Sequence, residues 1–255
     1  MLSILPIPAF NDNYIWLLEH AGEAVVVDPG EAGPVRRTLQ ERGLRLAGIL
    51  ITHHHFDHVG GLPELLAIHD VPVWGPHNPA IEAISERLGA NDRVTVLGHD
   101  FEVLEVPGHT LDHIAYFHAG DQPLLFCGDT LFAGGCGRLF EGSPAMMHQS
   151  LQSLAALPPE TLVYCAHEYT LANLAFARAV EPDNHDLAKR ETHCRNLRER
   201  SEPTVPTSIG QELATNPFMR CNTAALRDAL SQQGRLEGAS GAEVFATVRA
   251  WKDHF

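Results

Sequence analysis

The sequence predicts an α+β protein: two β-sheets flanked by helices, followed by a smaller all-helical domain. Three observations carry this expectation. Short β-type runs closed by Gly, Pro, Asp or His fill the chain up to about residue 166. They outnumber the helical patterns between them and often follow one another directly, which favours sheets of neighbouring strands over a regular alternation of strand and helix. After His167 the texture becomes helical, interrupted by Pro- and Gly-containing breaks such as "SEPTVPTSIG". The expected division is a first domain over residues 1–166 and a helical one over 167–255.

In chain order the expected strands are "YIWLLEH", "EAVVVDPG", "AGILIT", "VPVWGP", "RVTVLG", "FEVLEVPGHT", "HIAYFHAG", "PLLFCGDT" and "TLVYCAH". Helices are expected at "VRRTLQERG", "LPELLAIH", "AIEAISERLG" and "AMMHQSLQSLAAL", where Met147, Leu151 and Leu154 share a face. The second domain offers "LANLAFARAV", "HDLAKRETHCRNLRERS", "AALRDALSQQG" and "GAEVFATVRAWKDHF". In the last of these, Ser240 and Glu243 have the spacing of a capping box. Val244, Val248, Trp251 and Phe255 form an apolar stripe beside Arg249 and Lys252. Two cations three apart on a helix are ordinarily a solvated face. No internal repeat or low-complexity tract is present.

Composition limits the partners. The 255 residues are 44% hydrophobic, enough to bury a core, and carry a formal net charge of −14 without a long basic run. A phosphate-neutralising surface is missing, so nucleic acid is not expected as a partner. No apolar stretch approaches the roughly 20 residues that span a bilayer, so no membrane partner is expected either. The start, with Pro6 and Pro8 and no basic region, does not read as a signal peptide. Cysteines 127, 136, 165, 194 and 221 are odd in number and widely spaced, which fits a reducing cytoplasm rather than a disulfide framework.

The chemistry is concentrated in "ITHHHFDHVGG". In an extended segment alternate side chains point the same way, so His53 and His55 can reach one metal while His54 points elsewhere. Asp57 and His58 follow after a turn, and Gly60-Gly61 permits tight passage of the backbone. That is already more than one tetrahedral ion needs. Further candidates close other apolar runs: His109 in "VPGHT", Asp129 in "FCGDT" and His167 in "AHEY". Chance clustering among sixteen histidines does not account for ligands at three distant strand ends. His113 fits a supporting or structural role better than a ligand's. His20, His69, His77, His99, His118, His148, His185, His193 and His254 read as spectators. Asp28 in "VVVDPG" could hydrogen-bond a ligand histidine or equally cap a turn.

The spacing His-x-His-x-Asp-His, with the later "GHT", "GDT" and "AHE", resembles the metallo-β-lactamase superfamily. The resemblance implies a four-layer αβ/βα sandwich with two divalent ions at one edge. By position His53, His55 and His109 would hold one ion, Asp57, His58 and His167 the other, and Asp129 both. Imidazoles and carboxylates without thiolates suit zinc, iron or manganese alike, and zinc is the expected metal. Two such ions can ionise a shared water at neutral pH.

Several segments resemble the glyoxalase II (hydroxyacylglutathione hydrolase) family: "IPAFNDNYIW", "THHHFDHVGG", "GCGRLFEG", "AHEYTLANLAFA", "NPFMR" and "VRAWKDHF". They span nearly the whole chain. This resemblance implies hydrolysis of S-(2-hydroxyacyl)glutathione by a metal-bridging hydroxide in a cytoplasmic monomer, with Asp57, His58 and Asp129 catalytic. It also implies that Arg138, Phe140, His167, Tyr169, Arg249 and Lys252 line the glutathione pocket. Two departures stand out: Arg138-Leu139-Phe140 where some members have Lys-x-Tyr, and Asp112 where Gly is frequent. Rival readings are a lactonase or phosphodiesterase on the same scaffold, a one-iron persulfide dioxygenase, and a metal-buffering protein without turnover. No GxSxG elbow or activated cysteine supports covalent catalysis.

Overall fold

Continuous apolar runs such as Val25–Val27 and Ile49–Ile51 are buried on both sides, as strands in the middle of a layered fold must be. A computed structural model describes residues 2–255; Met1 lies outside the described residues. Contacts group these residues into two units. One runs to Glu105 and resumes over Asp112–Gly128; the other takes Val106–Leu111 and Asp129–Phe255. The helical tail thus shares its unit with the segments that carry His109, Asp129 and His167.

In the first unit, β1 (Ser3–Ala9), β2 (Asn13–His20), β3 (Glu23–Val27), β4 (Arg45–Leu50), β5 (Val73–Pro76) and β6 (Glu86–Leu88) form one sheet in chain order. The first three are antiparallel, and β3 to β6 are parallel. Helices α1 (Ala32–Arg42), α2 (Phe56–Val59) and α3 (Leu62–Leu66) occupy the crossovers. Val35 and Leu39 of α1 and Leu62 and Leu65 of α3 bury their side chains in one cluster with Ile15, Leu17, Val26 and Ile49. Gly43 ends α1 at φ 64°, the left-handed conformation that closes a helix with least strain when no Cβ is present. An antiparallel meander follows: β7 (Arg93–Val96), β8 (His99–Glu105), β9 (Ile114–His118) and β10 (Leu124–Gly128). From β9, the Tyr116 hydroxyl donates to the Ile51 carbonyl at 2.8 Å and Ile114 N–H to the Thr52 carbonyl at 2.9 Å. These bonds fix the chain where the histidine segment begins.

One expected helix is not formed. In "AIEAISERLG" the chain turns at Glu82–Ala83, and Glu86–Leu88 becomes β6, parallel to β5 with Trp74 opposite Glu86. Ser85 exchanges hydrogen bonds with Val73, through Val73 N–H to Ser85 Oγ at 2.9 Å and Ser85 N–H to the Val73 carbonyl at 3.0 Å. Ile81 and Ile84 are still buried. Pairing along an open sheet edge outweighs their helical spacing. "LPELLAIH" is helical only over α3.

The second unit contains the hairpin β11 (Leu131–Phe132) and β12 (Gly135–Cys136), then α4 (Pro144–Ala155) and β13 (Leu162–Cys165). The remaining elements are α5 (Thr170–Val180), α6 (His185–Glu199), β14 (Thr207–Ser208, paired with β13), α7 (Ile209–Thr215), α8 (Ala224–Gln232) and α9 (Gly241–Asp253). The short β11, β12 and β14, with β1 and α7, are additions to the elements expected from sequence. Met147, Leu151 and Leu154 are fully buried on α4, as are Val244 and Val248 on α9. Both halves of the Ser240–Glu243 capping box are present. The α9 stripe weakens toward its end, since Trp251 is half-buried and Phe255 is 61% exposed. No helix among the described residues is long and apolar enough to cross a membrane.

Candidate metal centre

The first unit supplies four of the expected ligands from one segment. Beyond β4 the chain stays extended to His55 and then enters α2, which turns Asp57 and His58 back beside His53. The rings of His53 and His58 lie 4.1 Å apart and those of His53 and His55 4.9 Å apart. Ligand atoms within the pairs His53–His55, His53–His58 and Asp57–His58 come within 4.8 Å of each other. The backbone must pass very close here. A Cβ on Gly30 would stand 1.9 Å from the Asp57 carbonyl oxygen, so only glycine fits.

A hydrogen-bond relay sets which ring nitrogen is free to bind. Thr52 N–H donates to Asp28 Oδ1 at 2.8 Å, and the Thr52 hydroxyl donates its single proton to Asp28 Oδ2 at 2.7 Å. Thr52 Oγ1 therefore accepts from His53 Nδ1, 3.1 Å away. Asp28 Oδ2 also lies 3.0 Å from His58 Nδ1 and accepts from it. Both rings thus carry their proton on Nδ1 and present Nε2 as a lone pair. Asp28 itself adopts φ 53°, so it shapes the turn and also serves the ligands. Asn13 Nδ2 donates to Asp57 Oδ2 at 3.0 Å. His54 turns aside, as expected, and donates through Nδ1 to Asp112 Oδ1 at 2.9 Å. His113 is buried, with its ring stacked on His53 at 4.5 Å.

The second unit brings His109, Asp129 and His167 together. Asp129 Oδ2 lies 3.3 Å from His109 Nε2, and Asp129 Oδ1 lies 3.3 Å from His167 Nε2. Each carboxylate oxygen faces a different imidazole, the disposition of a carboxylate shared by two ions. His109 Nδ1 lies 2.7 Å from the Arg138 carbonyl, which can only accept. The His109 proton is therefore on Nδ1, and its Nε2 lone pair points at a carboxylate oxygen. The His167 ring stacks on Tyr169 at 4.6 Å and 6°. A Cβ on Gly137 would meet the Asp129 carbonyl at 1.9 Å, so this turn also requires glycine.

Two acceptors facing each other at hydrogen-bond range need a cation or an extra proton between them. His109 Nε2 with Asp129 Oδ2 is one such pair, and His58 Nε2 with Asp57 Oδ2, 3.4 Å apart, is another. Buried imidazoles and carboxylates are suitable donors for zinc, iron or manganese. The residues therefore fit divalent ions, and the thiols have no part in this. Burial raises the Cys136 thiol to about 11 and the Cys165 thiol to about 12.

Of the expected pocket residues, Arg138 and Phe140 are exposed, and the Phe140 ring stands 5.3 Å from His109. Arg249 departs from the picture of two solvated cations. It is 7% exposed, ion-paired with Asp253 at 2.8 Å, and directs Nη1 at the Cys136 carbonyl at 3.4 Å. Lys252 Nζ donates to the Ala172 carbonyl at 3.3 Å. Burial first, and then the Arg249 charge, lower the Lys252 pKa. Sequence reasoning missed Thr52 and Asn13, which hydrogen-bond candidate ligands; only a contact 44 residues away reveals the bond from Asn13 to Asp57.

Residues 9–167 match the metallo-beta-lactamase superfamily, and residues 168–255 match the hydroxyacylglutathione hydrolase C-terminus. The crystal structure of ETHE1 from Myxococcus xanthus is 26% identical with a TM-score of 0.64, over 99% of this chain and 98% of that one. The crystal structure of TTHA1623 in a di-iron-bound form is 28% identical with a TM-score of 0.61, over 84% of this chain and 99% of that one. The fold is the α+β, four-layer αβ/βα sandwich of metallo-β-lactamases, and its donors define a class that works with divalent metal ions. A hydroxyacylglutathione hydrolase from Hahella chejuensis is 55% identical, and one from Chromohalobacter salexigens 53%, each over 100% of both chains. The chain belongs to the hydroxyacylglutathione hydrolase family.

Proposed function

We propose that this protein hydrolyses S-(2-hydroxyacyl)glutathione thioesters, with S-D-lactoylglutathione as the substrate and glutathione and D-lactate as products, the second step of methylglyoxal detoxification. The observation that carries the reading is the Nε2 lone pair of His109 aimed at Asp129 Oδ2, 3.3 Å away, which calls for a cation. Support for the substrate comes from the full-length relatives named hydroxyacylglutathione hydrolase.

In this reading His53, His55 and His109 would hold one divalent ion, Asp57, His58 and His167 would hold a second, and Asp129 would contribute to both. Zinc is the first choice; iron is the alternative that the di-iron form of TTHA1623 brings forward, with manganese also compatible with the donors. When bound, the ions supply Lewis acidity, lowering the pKa of water and polarising the thioester carbonyl. Asp57, held by Asn13, orients the attacking water, while Asp28 and Thr52 keep the ligand rings in the productive tautomer. The water releases a proton to solvent as its oxygen bonds to the carbonyl carbon, the C–S bond breaks, and the sulfur leaves as a thiolate. A thiol pKa of about 8.5 makes this a good leaving group without a dedicated acid. In this reading Asp57, His58 and Asp129 are the catalytic groups.

Glutathione carries two carboxylates, and in a chain with net charge −14 it needs local cations to hold it. Arg138 and Lys252 meet them, with Phe140 and Tyr169 packing the peptide against His167. Arg249 adds its charge from behind and fixes the Cys136 carbonyl two residues before Arg138. The enzyme works as a cytoplasmic monomer on a small molecule, without nucleic acid or membrane.

The test is an assay of S-D-lactoylglutathione hydrolysis with purified, metal-counted protein. Turnover with about two ions per chain is expected. Arg249→Ala combined with Lys252→Ala should lower kcat/KM at least roughly tenfold, chiefly through KM. A lactonase or phosphodiesterase on this scaffold would leave thioester hydrolysis undetectable and its own substrate indifferent to that double change.

A further inference from the structure

Three histidines outside the site also gather in one place. His20 ends β2, His99 begins β8 and His118 ends β9, all within the first unit. The His99 ring lies 5.8 Å from that of His20 and 5.3 Å from that of His118, at 87° to each. All three are half-exposed.

Their protonation favours metal binding. His118 Nδ1 lies 2.8 Å from the Asp100 carbonyl and must donate to it, which leaves Nε2 as the lone pair. The side chain of His99 takes no hydrogen-bond partner among the described residues. Burial first, and then the neighbouring His118 and His20, lower its pKa, which favours the neutral ring that binds metal. A cleft of about 400 Å³, whose lining includes His99, His118, Asp100, Glu102 and one cation, Arg93, gives solvent access. Edge-to-face packing explains a pair of rings. It does not explain three ionisable rings brought together from three strand ends at the surface.

We propose that His20, His99 and His118 form a peripheral site for one divalent transition-metal ion, separate from the catalytic pair. Three imidazoles with water in the fourth position suit zinc, and the same donors take nickel or copper(II). The ligand atoms of all three do not yet lie within 4.8 Å of one another. Binding therefore draws the rings together by side-chain rotation, for which half-exposed rings have room. That rotation makes the site weaker than the buried centre and open to exchange.

The experiment is equilibrium dialysis of the fully loaded enzyme against micromolar zinc, with thioester hydrolysis measured in parallel. Wild type should take up one ion more than His99→Gln/His118→Gln, while the two proteins share the same kcat. His20→Gln should weaken the extra ion at least about tenfold. Copper(II) added to loaded wild type should show nitrogen couplings in its electron paramagnetic resonance spectrum, and these should vanish in the double variant. This spectrum settles the matter even if one variant folds poorly. Equal uptake by wild type and double variant overturns the proposal, as does a copper spectrum unchanged by the substitutions. Neither result depends on which substrate the catalytic centre takes.

Discussion

Asp28 serves two of the three candidate ligand rings of the first unit, directly through His58 and by way of Thr52 through His53. Asp28→Asn loses an obligate acceptor and should weaken metal affinity roughly 10- to 100-fold, as read by competition with a chelator. Unchanged metal retention would remove Asp28 from the mechanism. Asn13→Ala should cost about tenfold in kcat with little change in KM, because it frees Asp57 without touching the glutathione side. His109, Asp129 and His167 were readable as candidate ligands because each closes an apolar run, and "VVVDPG" raised Asp28 as one of two options. Asn13 and Thr52 were not legible, since neither residue type announces a partner and the bond to Asp57 joins distant segments. At Lys252 the folded pKa lies below 10.5, so the folded chain sheds a proton that the unfolded chain still holds. Stability therefore rises with pH between the lowered pKa and the ordinary lysine value. In the proposed pocket a substrate carboxylate would lose its partner over the same interval. KM should climb as pH rises toward the ordinary lysine value, and Lys252→Arg should move that climb to higher pH; a KM indifferent to both would place Lys252 away from substrate.

α9 shows how much of an element its sequence specifies. Its capping box and the burial of Val244 and Val248 follow from spacing alone. Ser240→Ala should cost about 1 kcal/mol, seen as a melting temperature lower by roughly 2–4 °C. The burial of Arg249 did not follow, because a cation on a polar helix face reads as solvated until Asp253, Phe218 and the Cys136 carbonyl are placed around it. "AIEAISERLG" is the opposite case, where local periodicity pointed to a helix and sheet pairing prevailed. The β11–β12 hairpin depends on a longer-range device. Glu212 Oε2 accepts from Gly134 N–H at 2.8 Å and from Asn216 Nδ2 at 2.9 Å, and Oε1 pairs with the buried Arg190. Glu212→Ala leaves that guanidinium buried without its counter-charge, which should destabilise the protein by about 3–5 kcal/mol in denaturant titration. A shift within experimental error would show that water or rearrangement replaces the carboxylate.

At the scale of the whole molecule, the α+β class, two sheets and helical tail were legible, since strand and helix periodicities differ and change over along the chain. The grouping of Val106–Leu111 and Asp129 with the tail was not, because it depends on contacts between segments far apart in sequence. Ions that bind only the folded chain also stabilise it, so chelation should lower the melting temperature along with activity. The most direct test of the account is the rate of S-D-lactoylglutathione hydrolysis as metal-free protein is titrated with zinc. The account predicts no turnover without metal, recovery that is complete near two ions per chain, and no recovery in Asp129→Asn. Full turnover in metal-free protein, or recovery complete at a single ion, would contradict it.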